Sequence, residues 1–271
     1  MPIITTNVNA ILAVTRLNKN SRMQADSLAK ISSGTRIVRA SDDAAGLAVG
    51  MQLQSDVTTL KQASINLVQA TATLNIADSA LARIGDILNR ARSIVVQAIS
   101  GAVDNVSRGF MNAEIQHLAQ EIDLLRTATT FNGKQIINAD YNENFQSGIN
   151  AASDVITIDL EDIDISDFDH FDYDVSTATD AVATSSLVNG DLRSLQNHRV
   201  VVGSYLSLVE YRSNNVDTFL ENLQAAKSAI MDVDIAAEQS YLIIHQVLTQ
   251  SSIASLAQAN RMASGLLVLL R

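Results

Sequence analysis

Every seventh residue from Leu53 to Val95 is apolar: Leu53, Leu60, Leu67, Leu74, Leu81, Leu88 and Val95. Three residues on, from Leu60 down, runs a column of small residues, Ala63, Ala70, Ala77, Ala91 and Ala98, with Ile84 the exception. A seven-residue repeat keeps one helix face turned to a partner, and alanine beside leucine lets that partner approach closely. At 1.5 Å per residue, the segment from about 45 to 100 is a rod of roughly 80 Å. Each leucine fully buried along it contributes about 1.5–3 kcal/mol. A second column follows at Leu195, Val202, Val209, Val216, Leu223 and Ile230, on a helix expected from about 186. Between them a shorter helix, 104–129, carries Ile115, Leu118, Ile122 and Leu125. Gly101 is placed to cap the long helix before it, and Asn132-Gly133 to turn the chain after it. Pro2 is the only proline, there is no Trp, and aromatic residues make up 4% of the chain. Long helices are therefore uninterrupted and packed by Leu, Ile, Val and Ala. The expected fold is mainly α: a long antiparallel bundle or coiled coil formed by both halves of the chain, with a small β insert.

The two ends are a separate matter. Ile11, Val14, Leu17, Leu28 and Ile31 keep helical spacing near the start, as do Ile253, Leu256, Ala263, Leu267 and Leu270 at the finish. Ser21, Gln24 and Asn260 interrupt those seams with polar groups. A lone helix is marginal in water, so each end requires a partner, either the other end or a neighbouring copy. In the stretch between, Gly34 and Gly46 bracket Ser41, Asp42 and Asp43, which are N-cap candidates for the long helix.

Charge marks off one further region. Between Lys134 and Arg193 there is no Lys or Arg, and thirteen of the chain's 29 acids fall there. Ile156, Ile158 and Leu160 alternate with polar residues, as do Phe171, Tyr173 and Val175, which predicts strands with one solvated face in a β insert over 139–185. The aspartates Asp162, Asp164, Asp167, Asp169, Asp172 and Asp174 are dense, but no DxDxDG loop with its turn glycine is present, so a solvated strand face is the better reading than a calcium site. His117, His170, His198 and His245 each lie in a different element, and HExxH is absent. They read as structural or surface histidines, with no catalytic set, no metal site and no cofactor. Without cysteine there is no disulfide framework. No basic stripe suggests nucleic acid, and no stretch approaches the ~20 apolar residues of a membrane span. The first basic residue, Arg16, lies behind the apolar start, so a cleaved secretory signal peptide is not expected.

Six ordered motifs carry a family resemblance: TTNVNA (Thr5 to Ala10), SSGTRI (Ser32 to Ile37), SDDAAGLAV (Ser41 to Val49), IMDVDIAAE (Ile230 to Glu238), LAQAN (Leu256 to Asn260) and LLVLLR (Leu266 to Arg271). With TTFNGKQII (Thr129 to Ile137), they make the chain resemble bacterial flagellin, in a form with a short insert. Arg261, Met262 and Ala263 stand where the family commonly has a proline nearby, and Ile65-Asn66-Leu67-Val68 is more apolar than its usual counterpart.

The resemblance implies a non-enzymatic subunit that polymerises into the extracellular flagellar filament for motility. It implies an inner coiled-coil domain from 1–44 and 232–271, a helical rod from 45–138 and 186–231, and the acidic variable insert at 139–185. Its implied partners are further copies in a helical homopolymer, an export chaperone on the C-terminal helix, the export apparatus, and the filament cap and hook-junction proteins. The assembly seams expected are Leu53, Leu60, Leu67, Leu74, Leu81, Leu88, Leu195, Val202, Val209, Val216, Leu223, Leu256, Leu267 and Leu270. Arg90, Arg92, Ile94, Val96, Gln97 and Glu114 match a patch that packs between subunits and is recognised by the flagellin-sensing Toll-like receptor; Ile94 stands where leucine is common. Two alternatives stay open: a hook–filament junction protein, and a surface-binding or adhesive protein on a flagellin scaffold.

Overall fold

The computed structural model describes residues 6–137, 141–160 and 172–269, with side chains as far as 265. Its elements are α1 (Val8–Ser33), α2 (Ala44–Ile99), α3 (Asn105–Ala128), β1 (Thr130–Phe131), β2 (Lys134–Gln135), β3 (Asn142–Gln146), β4 (Val155–Asp159), α4 (Ala178–Met231) and α5 (Ile235–Leu269). The chain divides into two compact units. A terminal unit joins the residues up to Asp56 with those from Asn222 on, and a central unit runs from Val57 to Glu221.

The seven-residue column forms the core of the central unit. Leu60 and Leu67 are 1% exposed, and Leu74, Leu81, Leu88 and Val95 are fully buried. The alanine column beside it and Ile84 are buried as well. From the other helices come Ile115, Ala119 and Ile122 of α3, and Val188, Leu195, Val202, Val209 and Val216 of α4. Three polar ties add to these contacts: Asp78 with Arg199 at 2.9 Å, Ser64 with Asp217 at 3.4 Å, and Asn66 Nδ2 donating to Gln146 O at 3.1 Å.

The α2–α3 corner is closed by a side chain, not by Gly101, whose φ is not positive. Arg108 is buried; its Nε donates to Ala98 O at 2.8 Å and its Nη2 to Ser100 O at 3.1 Å. A cation on the last carbonyls of a helix satisfies their lone pairs and the helix dipole together. Asp104 caps α3 by accepting from Ser107 N at 2.9 Å. The turn at Asn132-Gly133 is as expected: both residues have positive φ, 51° and 78°, and they join β1 to β2. Such a two-residue hairpin needs residues that tolerate the left-handed region.

The acidic stretch folds differently from its reading. Ile156 and Ile158 do lie buried on a strand, β4, with Thr157 facing out between them. Its antiparallel partner is β3, in the register Asn142↔Asp159 through Gln146↔Val155. Tyr173 and Val175 form no strand. They are buried in a segment without regular secondary structure, held by side chains: Gln116 Nε2 donates to Tyr173 O at 2.6 Å, Val175 N donates to Asn112 Oδ1 at 3.1 Å, and the Tyr173 hydroxyl donates to Asp191. The alternation there comes from two inward-facing residues on a pinned chain. The helix expected from about 186 begins at Ala178, eight residues earlier, because Thr177 and Asp180 form a reciprocal cap: Asp180 N donates to Thr177 Oγ1 at 3.2 Å and the hydroxyl returns to the carboxylate. Phe171, His170 and the aspartates Asp162, Asp164, Asp167 and Asp169 lie outside the described residues.

Candidate assembly surface

Within the terminal unit the sequence motifs meet in pairs. α1 is capped by Asn7, whose side chain accepts from Ala10 N at 3.1 Å and donates from Nδ2 to Ala259 O at 3.0 Å. One amide thus ties TTNVNA to LAQAN. α1 ends at Gly34, in the left-handed region at φ 70°, its N–H on Lys30 O. From there the chain pairs with the α4–α5 link: Arg36 N donates to Met231 O at 2.6 Å, Val233 N donates to Gly34 O at 3.1 Å, and Thr35 bridges Asp232. SSGTRI is thereby fastened to IMDVDIAAE.

Two of the three cap candidates before α2 have separate tasks. Asp43 caps the helix, its Oδ1 accepting from Gly46 N at 2.8 Å. Asp42 braces the loop, its Oδ2 accepting from Arg39 N at 2.9 Å and Val38 N at 3.1 Å. The bond from Arg39, first among its causes, holds the Asp42 carboxyl below its usual range. Gly50 leaves room for a neighbour, since a Cβ there would collide with the Met231 side chain.

α1 and α5 pack antiparallel, and small residues make the close contact: Ala13, Ser27, Ser252 and Ala259 are the buried ones. Asn20 Nδ2 donates to Ser252 Oγ at 3.2 Å across the pair. The large apolar side chains face outward. On α1, Ile11 is 57% exposed, Leu28 58% and Val14 39%, so three of the five seam residues read there do not line the contact with α5. Leu17 and Ile31 are half-buried. On α5, Tyr241, Ile243, Ile244, Val247, Leu248, Ile253 and Met262 are exposed, while Leu256 is half-buried. From Gln239 to Asn260 this helix has no Asp, Glu, Lys or Arg, yet among the described residues no helix is long and apolar enough to cross a membrane. A cleft of about 530 Å³ between α1 and α5 is lined by Leu12, Arg16, Asn20, Met23, His245 and Leu248, among others. Among the described residues the buried His245 Nδ1 has no hydrogen-bond partner.

Of the remaining seam positions, Leu53 and Leu223 are half-buried. Neither the Leu267 side chain nor Leu270 is among those described. In the patch around Arg90, the guanidinium grips Glu114 across α2 and α3, Nε at 2.9 Å and Nη2 at 2.6 Å on one oxygen. Arg92, Val96 and Gln97 are exposed beside it. Ile94 is 2% exposed and belongs to the core, so its side chain is not on that surface. Sequence reasoning passed over the small-residue contact of Ala13, Ser27, Ser252 and Ala259; Asn7 and Ala259, each within a quoted motif, were the available signal. Among the described residues no three His, Asp or Glu side chains gather as a metal site would require.

Residues 4–142 match the family described as bacterial flagellin N-terminal helical region, and residues 186–270 match bacterial flagellin C-terminal helical region. The chain belongs to the bacterial flagellin family. It is 32% identical to a flagellin of Halalkalibacterium halodurans, over 99% of this chain and 100% of that one. It is 32% identical to a flagellin of Bacillus subtilis, with 98% of each covered, and 31% identical to the flagellar filament 33 kDa core protein of Treponema phagedenis, with 99% and 100% covered. The crystal structure of Bacillus cereus flagellin shares the fold, with a TM-score of 0.51 and 24% identity over 60% of this chain and 94% of that one. As a flagellin the protein is a structural subunit of the extracellular flagellar filament, and it is not an enzyme.

Proposed function

We propose that the terminal unit is the polymerising element of this flagellin and that α1 and α5 line the inner tube of the filament. One observation carries this reading: a helix pair that buries alanine and serine while turning isoleucine, leucine and tyrosine outward. Exposed apolar surface of that extent finds its burial against another molecule. Neighbouring copies supply it. The seams at Leu53, Leu223 and Leu256 belong to the same surface. Before export the apolar C-terminal helix is held by a chaperone, the chain leaves through the flagellar export channel, and cap and hook-junction proteins meet the growing polymer. The Arg90–Glu114 patch, with Arg92 and Gln97, is the contact for the flagellin-sensing Toll-like receptor.

Truncation after Asn260 tests the central part. The shortened chain should keep the circular dichroism of the central helices and sediment only as monomer. Filaments of normal length from the truncated chain would overturn the proposal.

A further inference from the structure

One side of the α1–α5 pair joins exposed apolar side chains to cations that nothing neutralises. Leu12, Arg16, Lys19 and Met23 recur at intervals of four, three and four, so they share one face of α1. They line the cleft between the two helices, with Leu248, Ser251 and Ser255 of α5 on its other wall. Leu12, Met23 and Leu248 are exposed, as is Ile244 one turn before Leu248. Arg16, Lys19 and Arg22 are exposed too, and among the described residues none of the three has a hydrogen-bond or ion-pair partner. Asp26, the only acid of α1, faces Arg39 at 3.9 Å. α1 carries Arg16, Lys19, Arg22 and Lys30 against that one acid, and α5 carries Arg261 against Glu238. The pair is therefore cationic in a chain whose net charge is −10.

Another helix pair of the same kind covers the apolar side chains but not the charge, since α5 has no acid from Gln239 to Asn260. A surface that offers both a hydrocarbon boundary and fixed negative charge complements the whole face. We propose that the unassembled subunit lays this face on an anionic lipid surface. Leu12, Met23, Ile244 and Leu248 enter the boundary between headgroups and acyl chains, while Arg16, Lys19 and Arg22 bind lipid phosphates. The Ser251 and Ser255 hydroxyls donate to the same oxygens. The helices lie on the bilayer and do not span it, as cationic amphipathic helices do. This use of the face does not depend on the filament reading. Both draw on the same apolar side chains, so a lipid-bound copy and an assembled one exclude each other.

Vesicle flotation with the full-length monomer tests this. One set of vesicles holds equal parts phosphatidylglycerol and phosphatidylcholine, the other phosphatidylcholine alone. The monomer should float with the anionic set, less so as salt rises, and hardly at all with the neutral set; preformed filaments should float with neither. R16Q/K19Q should weaken binding roughly thirtyfold, the effect of two bases beside an anionic surface, with circular dichroism unchanged. R92Q/R193Q removes the same charge from exposed positions of the central unit and should leave binding nearly unchanged. L12S/L248S should weaken it at every salt concentration, as a face that enters the lipid requires. Three results would overturn the proposal. Equal binding to both vesicle sets would leave the cations without a role, and equal losses from the two arginine-bearing variants would assign the effect to overall charge. A lipid-free dimer that R16Q/K19Q dissociates would give the face to a second copy.

Discussion

The terminal and central units use one kind of sequence signal to opposite ends. In the central unit the apolar column is spent inside the chain, with Leu74, Leu81 and Leu88 fully buried within the same molecule. In the terminal unit the helices touch through Ala13, Ser27, Ser252 and Ala259, and many of the larger side chains of the same helices, Ile11, Leu28 and Ile244 among them, remain in water. Leucine beside alanine thus builds a self-sufficient bundle in one place. In the other, the small residues bring two helices together and leave the large ones for a later contact. A subunit that polymerises into a filament uses both arrangements, one for its own fold and one for its neighbours.

The largest expected effect separates the two units by stability. Leu74→Ala should cost the monomer about 2–5 kcal/mol, because a fully buried side chain leaves a cavity. Leu28→Ala, at a position 58% exposed, should stay within about 0.5 kcal/mol in the monomer while slowing polymerisation. Thermal unfolding of each variant, beside a turbidity assay, reads both; equal losses of stability would break the comparison.

A smaller effect concerns Asp78, which the heptad pattern alone places on a solvated face and expects to be silent. The ion pair with Arg199 changes that expectation. With the two side chains 37% and 46% exposed, Asp78→Ala should cost about 0.5–1 kcal/mol, the range of screened surface pairs, and less at high salt. Chemical denaturation of the monomer at two salt concentrations measures it.

The smallest effect should be common to both units and so sharpens the contrast as a control. Asp42 in the terminal unit and Asp104 in the central unit have carboxyls held below 3.8, by the Arg39 backbone N–H and by hydrogen bonds from Ser107 respectively. A carboxyl whose folded pKa is depressed lends stability that is present above 3.8 and lost as pH falls through the folded value. Asp42→Asn and Asp104→Asn should each flatten the acid limb of the melting curve slightly, and to a similar degree. A steep acid dependence carried by one of them alone would point to a charge network not accounted for by these hydrogen bonds.

The bundle was legible because a seven-residue repeat of leucine has one reading on a helix. Other features depended on information that pattern does not hold. The Thr177–Asp180 cap sits inside the acidic stretch, where charge density concealed a helix start. β3, reading Asn-Glu-Asn-Phe-Gln, has too little alternation to mark a strand and is defined by its backbone pairing with β4. Tyr173 and Val175 repeat at an interval of two, but side-chain hydrogen bonds hold them where a neighbouring strand was expected. At the ends, Ile11, Val14 and Leu28 were recognised as a seam with no means of telling an internal partner from an external one. Ala13 and Ser27 decide it, because small side chains are what permits the close approach of α5.

The central claim is that the terminal helices are completed by other copies and the central ones are not. Amide hydrogen exchange of the monomer and the filament, resolved by peptide, tests it most directly. In the monomer, α1 and α5 should exchange orders of magnitude faster than the stretch of α2 from Leu60 to Val95, since a pair joined through small residues opens at low cost. On polymerisation the protection of α1 and α5 should rise to match that of α2, which should itself change little. Terminal helices already as protected as α2 in the monomer, with no gain in the filament, would contradict the account.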